Sequence, residues 1–191
     1  IARAEVAVEL KDIQDKDAVS PSKKIQALLV KMVKSMHVKH YEYVLELAAQ
    51  AHKIDKIALE PYCLAAEALA NQGKIKEAKE ELRFALKINP LFAPAHYLFG
   101  TFCVEEGQIE QGCQFFKKTL YLDSNFVLAH FDLANIYKNE GKDNEAIREY
   151  RNALNILVKM SSFDIIPYSG GFNATVITGV CKSNLERLKV S

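Results

Sequence analysis

A period of 34 residues constrains the fold of this chain more than any other feature of its sequence. Gly73, Gly107 and Gly141 are spaced at that interval. The same step relates further columns of similar residues, which are Ala66/Gly100/Ala134, Ala78/Gly112/Ala146, Ala85/Thr119/Ala153 and Tyr62/His96/His130. Self-similarity at this period is typical of stacked helix–turn–helix units.

The residue types in these columns fit a helical hairpin. A glycine between two helices takes the left-handed conformation that ends a helix without a Cβ clash. Small residues within each helix allow the two backbones to approach closely, and enlarging them costs about 1–3 kcal/mol. One hairpin cannot bury its own apolar face, so neighbouring hairpins must stack. The sequence therefore predicts an all-α solenoid of helical hairpins, and the pattern resembles the tetratricopeptide repeat family.

The period also sets the expected organisation of the chain. Lys39 stands where later units have glycine, and a left-handed lysine is costly, so the first turn is expected to differ. Ser22 is the expected N-cap of the first helix. The predicted segments are a linker or short helix at 1–22, a degenerate first repeat at 25–58, repeats at 59–92, 93–126 and 127–160, and a turn plus C-terminal capping helix at 161–191.

The last predicted helix has two readings. Residues 174–189 carry an apolar stripe, and Asn173 is a candidate N-cap. Covering the exposed face of the fourth repeat is the simpler role, since terminal repeats need a cap. In the alternative, the helix lies in the concave groove and blocks it until a partner displaces it.

Composition excludes several classes of protein. The formal net charge of +1 gives no general attraction to nucleic acid or anionic lipid. No run of 18 apolar residues predicts a membrane span, and no signal peptide is evident. The four cysteines form no CxxC pair, which favours reduced, buried thiols and a cytoplasmic location. Because the sequence begins with Ile1, we expect it to be part of a longer protein.

No catalytic constellation is visible in the sequence. A glycine-rich strand–turn–helix loop for a cofactor is missing, so we expect no cofactor in this chain. His37 and His40 form an H-x-x-H pair, but a zinc site needs three or four ligands, which favours a solvated turn. We therefore expect no enzymatic activity from this chain. Three functional classes are compared: a protein-binding module of a larger enzyme, a stand-alone scaffold, and an enzyme in its own right. The last is the least favoured.

Two stretches carry a more specific resemblance. The first is Leu120-Tyr121-Leu122-Asp123 with Leu128-Ala129-His130-Phe131 and Arg151-Asn152-Ala153-Leu154, within Thr119–Leu157, and the second is Ile166–Phe172. They resemble the C-terminal tetratricopeptide region of bacterial chemotaxis protein-glutamate O-methyltransferases. That resemblance implies a non-catalytic region whose methyl transfer belongs to a separate domain that binds S-adenosylmethionine. The alternative is a stand-alone scaffold or assembly factor.

The expected working surface is the concave face formed by the first helix of each repeat. Tyr97 and Phe131 lie one period apart and are predicted to form an aromatic floor for a protein or peptide partner. The alternative is that these rings pack between neighbouring helices. The predicted partner-binding residues are Glu67, Tyr97, Thr101, Phe131, Asn135 and Lys138.

A carboxylate clamp of the kind found in co-chaperone repeats is excluded by residue type. Such repeats resemble one another in placing Lys and Asn at set concave positions. The corresponding lysine positions here carry Leu29, Cys63, Tyr97 and Phe131. Lys138 alone supplies only a weak point charge.

Overall fold

Helices account for most of residues 20–188, the range that the computed structural model describes. Within that range the only extended pairing is a single antiparallel bridge between Ile165 and Asn173. Nine helices follow one another there: α1 Pro21–His37, α2 Tyr41–Ile54, α3 Glu60–Asn71, α4 Ile75–Ile88, α5 Ala93–Glu105, α6 Ile109–Leu122, α7 Val127–Asn139, α8 Asp143–Leu157 and α9 Ala174–Leu188.

Consecutive helices pair into hairpins. The pairs are α1 with α2, α3 with α4, α5 with α6, and α7 with α8. Each hairpin packs against the next, and α9 packs against α8 at the end of the array. The predicted all-α solenoid with a C-terminal capping helix is thus confirmed.

The first helix begins two residues earlier than the sequence suggested. Ser20, not Ser22, is its N-cap, and the Ser20 hydroxyl accepts a hydrogen bond from the Lys23 amide. Pro21 follows at the first helical turn, where its missing N–H costs nothing. Of the linker predicted at 1–22, residues 1–19 lie outside the described residues.

A left-handed residue closes the first helix of every hairpin. Gly73, Gly107 and Gly141 have φ values of 78°, 80° and 72°. Lys39 occupies the same place with φ 58°, so the expectation of a different first turn was wrong. The first hairpin keeps the geometry of the others, at a local cost of about 1–2 kcal/mol for the lysine.

Close backbone approach explains the small residues of the third hairpin. A Cβ added to Gly100 would lie 2.6 Å from the Phe116 ring, and one added to Gly112 would lie 3.0 Å from the Gly100 carbonyl oxygen. The equivalent residues of the neighbouring hairpins are alanines with no exposure, Ala66 with Ala78 and Ala134 with Ala146. Larger side chains there would separate the two helices.

The core has a second repeated column on the other helix of each hairpin. Leu82, Phe116 and Tyr150 are spaced by the same period and are essentially unexposed. Ala48 holds the equivalent place in the first hairpin and is also buried. Its side chains differ in size and chemistry from one hairpin to the next, so the column is not visible as a repeat of identical residues.

The column Tyr62/His96/His130 fastens each hairpin to the loop that precedes it. His96 Nε2 lies 2.9 Å from the Pro90 carbonyl oxygen, and His130 Nε2 lies 3.1 Å from that of Ser124. The Tyr62 hydroxyl donates to the Lys56 carbonyl oxygen at 3.4 Å. Each partner carbonyl lies six residues before the ring, so the column holds equivalent points of successive loops.

His130 makes a second contact that its equivalents lack. Its Nδ1 lies 2.7 Å from Oε2 of Glu149 on α8, and both side chains are about nine-tenths buried. A carboxylate and a carbonyl can only accept hydrogen bonds, so both ring nitrogens of His130 face acceptors. A protonated imidazole satisfies both acceptors, and in that form the contact is an ion pair across the fourth hairpin.

Another repeated column forms the turn between successive hairpins. Asp55, Asn89 and Asp123 end α2, α4 and α6, and each side chain accepts a hydrogen bond from the amide two residues later, at 2.9–3.0 Å. Such local bonds make the tight turn that starts a new hairpin. One period further along, Leu157 is buried in the core and cannot make this turn. The array of hairpins ends there.

Candidate binding groove

The inner side of the solenoid is lined by the first helix of each hairpin. Helix α1 packs against α3, and α3 packs against α5. Tyr97 of α5 bonds Asp132 of α7, so the first helices of all four hairpins lie along one side of the array. Solenoids present their binding surfaces on a concave side of this kind. We call this inner surface the concave groove.

A short segment joins α8 to α9, and we call residues 161–173 the hairpin loop. The Ile166 amide donates to the Phe172 carbonyl oxygen at 3.0 Å, and the Ala174 amide donates to that of Asp164 at 2.9 Å. The Thr175 hydroxyl also donates to the Ser162 carbonyl oxygen at 2.8 Å. These bonds fold the segment back on itself and send its tip away from α9.

The tip of the hairpin loop reaches the first two hairpins. Together with α1 and α3 it lines a cavity of about 590 Å³ that is open to solvent. Leu29 and Val33 of α1, Leu64 and Glu67 of α3, and Tyr168 of the loop are among the residues that line it. The concave groove is therefore occupied by the chain itself over part of its length.

Tyr168 attaches the tip of the hairpin loop to the rest of the chain. Its side chain packs against the core cluster that includes the buried Cys63 of α3, and burial raises the pKa of both groups well above their usual values. Its ring stacks on Phe126 with 6.3 Å between centroids. The backbone of Tyr168 is left-handed, with φ 64°, a conformation that costs an L-residue energy.

Glu67 gives the cavity its electrostatic character. Burial raises the pKa of this carboxyl group to about 7, so near neutral pH it exchanges its proton with small changes in surroundings. It lies beside the apolar residues Leu64 and Val33 in the cavity lining. A neutral Glu67 donates a hydrogen bond, and an ionised one favours a cationic neighbour.

Replacing Glu67 with glutamine should change how stability depends on pH. A glutamate titrates near 4.5 in the unfolded chain, and burial raises the pKa of Glu67 to about 7 in the folded chain. The folded state holds the proton more tightly, so stability is greatest below pH 4.5 and falls as the pH rises to 7. We expect Glu67→Gln to raise the free energy of unfolding at pH 8 by roughly 1–2 kcal/mol, allowing for solvent screening.

Urea denaturation from pH 4 to 8 measures this effect. The exposed Glu46 on α2 provides the matched control substitution, Glu46→Gln. A Glu67→Gln profile that runs parallel to wild type between pH 6 and 8 would contradict the expectation.

Tyr97, one half of the predicted aromatic floor, packs between helices instead of facing the groove. It is 4 % exposed, and its hydroxyl donates to Asp132 Oδ2 on α7 at 2.8 Å. Its ring lies 4.8 Å from that of Phe126 and 5.6 Å from that of Phe116. The alternative that the sequence left open is the one observed for Tyr97, and we correct its place on the predicted surface accordingly.

Phe131 and Thr101 are partly exposed. The Phe131 ring meets Tyr150 edge-on, with 6.3 Å between centroids. The Thr101 hydroxyl donates to the Tyr97 carbonyl oxygen within its own helix at 3.3 Å. A role for either residue in binding a partner stays a prediction.

Asn135 and Lys138 belong to a polar network that fixes the capping helix. Asn135 Oδ1 accepts from the Tyr150 hydroxyl at 2.6 Å, and that hydroxyl accepts from Asn184 Nδ2 of α9 at 2.9 Å. Lys138 Nζ donates to Asn184 Oδ1 at 3.1 Å. These bonds hold α9 against the fourth hairpin, and they engage two of the groups that we predicted for partner binding.

The sequence analysis missed the groove residues of the hairpin loop. Ile166 is 4 % exposed and joins the main core, although it lies in a stretch that broke the repeat pattern. The one available signal was the run Ile165-Ile166-Pro167-Tyr168, which is too apolar for a solvated turn. Periodicity cannot show where a single unrepeated segment docks.

Between residues 20 and 188 no group of three or more His, Cys, Asp and Glu side chains is arranged to hold a metal ion. His37 instead packs beside Gly171 at the loop tip. None of the described helices has both the length and the apolar character required to cross a bilayer. The four thiols are free.

Comparison with known proteins supports the repeat. The tetratricopeptide repeat pattern matches residues 59–90 and 127–156, which correspond to the second and fourth hairpins. The hairpin between them shares their turn glycine and their period. No curated protein sequence matches the chain.

Solved structures share the fold at low sequence identity. A thermophilic tetratricopeptide protein of Thermus thermophilus is 19% identical with a TM-score of 0.68, over 92% of this chain and 87% of that one. MamA is 20% identical with a TM-score of 0.56, over 78% of this chain and 85% of its own. A structure of Naa15/Naa10 bound to HypK-THB is 19% identical with a TM-score of 0.61, over 86% of this chain and 24% of that one. The present chain therefore carries tetratricopeptide repeats and folds as a tetratricopeptide-repeat solenoid.

Proposed function

We propose that this chain is a protein-interaction module that holds a segment of another protein in its concave groove. The observation that supports this most directly is the cavity between α1, α3 and the hairpin loop, which is open to solvent and combines apolar residues such as Val33 and Leu64 with polar ones such as Glu67. Apolar grooves with a few polar groups are the usual sites for extended or helical segments. Among the structural neighbours, Naa15/Naa10 is bound to another protein, HypK-THB.

We further propose that the module is the non-catalytic C-terminal region of a chemotaxis-type protein-glutamate O-methyltransferase. The support is the resemblance of Thr119–Leu157 and Ile166–Phe172 to that family. In this reading the module positions the enzyme on a chemoreceptor array in the cytoplasm, and chemistry and cofactor belong to another domain. A stand-alone scaffold is the second candidate, and it needs only the repeats and the groove.

Binding to a purified chemoreceptor cytoplasmic domain tests the groove and the parent protein together. Val33 lines the cavity and is 40 % exposed, so Val33→Glu should disturb the groove without unfolding the chain. Val158, at the far end of α8, is 80 % exposed and supplies the matched control, Val158→Glu. We expect wild type and the control to bind, and Val33→Glu to bind at least tenfold more weakly.

The outcomes separate the two parts of the proposal. Equal binding by all three proteins would remove the concave groove as the site. Failure of the wild-type chain to bind any chemoreceptor domain would count against the methyltransferase parent and leave the scaffold. The reading frame upstream of Ile1 decides the same point, because the first candidate requires a domain that binds S-adenosylmethionine there.

A further inference from the structure

Ile166 and Tyr168 are the most buried large side chains of the hairpin loop. Ile166 lies in the main core, and Tyr168 is partly buried against that core and stacks on Phe126. Other apolar residues of the loop face solvent, with Phe163 85 % exposed and Phe172 54 % exposed. The tip is therefore attached through an aliphatic residue and a tyrosine that stand two positions apart.

The fit of the tip is imperfect. A cavity of about 590 Å³ remains beside the loop, and part of its lining is apolar. The tyrosine that anchors the tip holds a left-handed backbone, which a residue with a Cβ adopts at a cost. A segment that presents the same two side chains from a relaxed backbone would avoid that strain.

The contacts also join distant parts of the chain. Tyr168, beyond the fourth hairpin, lines one cavity with Leu64 of the second, and Gly171 packs beside His37 of the first. No period of the repeat demands this arrangement, because the hairpins stack through other surfaces. The loop behaves as a tethered ligand of the groove, held at an effective concentration of about millimolar by its short connection to the array.

We infer that the groove recognises an extended segment of another protein that carries an aliphatic residue and, two positions later, a tyrosine, and that the hairpin loop occupies this site until such a segment replaces it. This inference rests on the proposed function and names the class of partner. The chain's own Ile166-Pro167-Tyr168 shows the chemistry that the site accepts: an apolar side chain for the core and, two positions later, a phenol ring that packs against that core and stacks on Phe126.

A peptide added in trans tests the inference without a natural partner. The probe is a fluorescein-labelled peptide with the sequence of residues 161–173, and the protein is the full chain. The variant Ile166→Ala/Tyr168→Ala removes both anchors, and Phe163→Ala/Phe172→Ala alters only exposed loop residues. Fluorescence anisotropy should show the first variant binding the peptide at least about tenfold more tightly than wild type, because its own loop no longer competes.

Three controls make the result decisive. Phe163→Ala/Phe172→Ala should bind the peptide as weakly as wild type, and a peptide with alanine at both anchor positions should not bind the first variant. Far-ultraviolet circular dichroism must show that the first variant keeps its helices. A folded first variant that binds the peptide no better than wild type would overturn the inference.

Hydrogen exchange on the wild-type chain covers the case in which that variant does not fold. The Ile166 amide is bonded to the Phe172 carbonyl oxygen in the loop. Peptide at millimolar concentration should accelerate its exchange, and unchanged exchange would overturn the inference. If the wild-type chain forms a dimer that is lost when both anchors are removed, the groove binds a second copy of the chain. That result would also overturn the inference. These results are independent of chemoreceptor binding, so either proposal can fail alone.

Discussion

Replacing His130 with alanine is expected to lower the free energy of unfolding by about 2–4 kcal/mol, because the ring makes one hydrogen bond to a carboxylate and one to a carbonyl oxygen. The substitution leaves the carboxylate of Glu149 in a site where its side chain is only 9% exposed. It also removes the bond from the His130 ring to the Ser124 carbonyl oxygen. The carboxylate keeps its hydrogen bonds from Arg148 and Asn152 but loses the one from the His130 ring, and a hydrogen bond to a charged group contributes about 1.5–3 kcal/mol. Urea denaturation at pH 7 measures the loss.

His96 provides a matched control within the same chain. It occupies the equivalent place in the third hairpin and bonds the Pro90 carbonyl oxygen, but no carboxylate faces its other nitrogen. We expect His96→Ala to cost only about 1 kcal/mol, the value of one ordinary hydrogen bond. Equal losses for the two alanine variants would show that the Glu149 contact contributes little.

The effect of His130→Ala should also depend on pH. Burial alone would raise the pKa of Glu149, but hydrogen bonds from His130, Arg148 and Asn152 hold it down to about 2. A depressed carboxyl pKa contributes stability that is present above about pH 4.5 and is lost as the pH falls towards 2. The difference between wild type and His130→Ala should therefore shrink over that window. A difference that stays constant from pH 5 to 2 would contradict this account.

Truncating Tyr97 to alanine is expected to cost about 3–5 kcal/mol, the range for a large aromatic residue removed from a core. Its ring is packed among the neighbouring aromatic residues Phe116 and Phe126, and its hydroxyl is bonded to Asp132. Loss of partner binding in Tyr97→Ala would therefore report a damaged core and not a missing surface contact. Thermal and urea denaturation of the purified variant measure the cost.

The milder variant Tyr97→Phe isolates the hydrogen bond. We expect it to cost about 1–3 kcal/mol, because Asp132 loses its donor in a site that excludes most water. Burial raises the pKa of Asp132 to about 6, although the Tyr97 hydroxyl opposes this rise. Without the hydroxyl the pKa rises further above 6, so the penalty should be full only above the raised pKa of the variant and should decrease as the pH falls to 6 and below, where the carboxyl group becomes neutral in both folded proteins.

Asp132→Asn checks the origin of that pH dependence. An asparagine keeps an acceptor for the Tyr97 hydroxyl and carries no charge. In this background the cost of Tyr97→Phe should no longer change between pH 4 and 7. If it still varies with pH, another titrating group must couple to Tyr97.

Features that recur in every hairpin could be predicted from the sequence. The turn at Gly107 and the close approach of Gly100 to α6 depend on backbone conformation and residue size, and both are visible as spacing. Asn173 was likewise recognised as a cap, and its side chain accepts from the Val176 amide at 3.0 Å. Local interactions of this kind repeat because the same hairpin is built several times.

The candidate site was harder to predict, since its residues come from different units. The burial of Tyr97 depends on Asp132 and Phe126, which belong to the next hairpin. Lys138 was predicted for a partner, yet it bonds Asn184 on the capping helix. Spacing within one unit places a residue on a face of its helix but does not show which side chain from another unit covers that face.

The repeat, the all-α solenoid and the turn positions could be predicted from the sequence alone, because short-range backbone and packing requirements recur at a fixed period. Even there, Lys39 shows that stacking against the next hairpin can impose a left-handed turn on an unfavourable residue. The position of the loop around Tyr168, in the groove between α1 and α3, became visible only in the three-dimensional fold. That contact joins residues more than a hundred positions apart, and it depends on how the whole array curves.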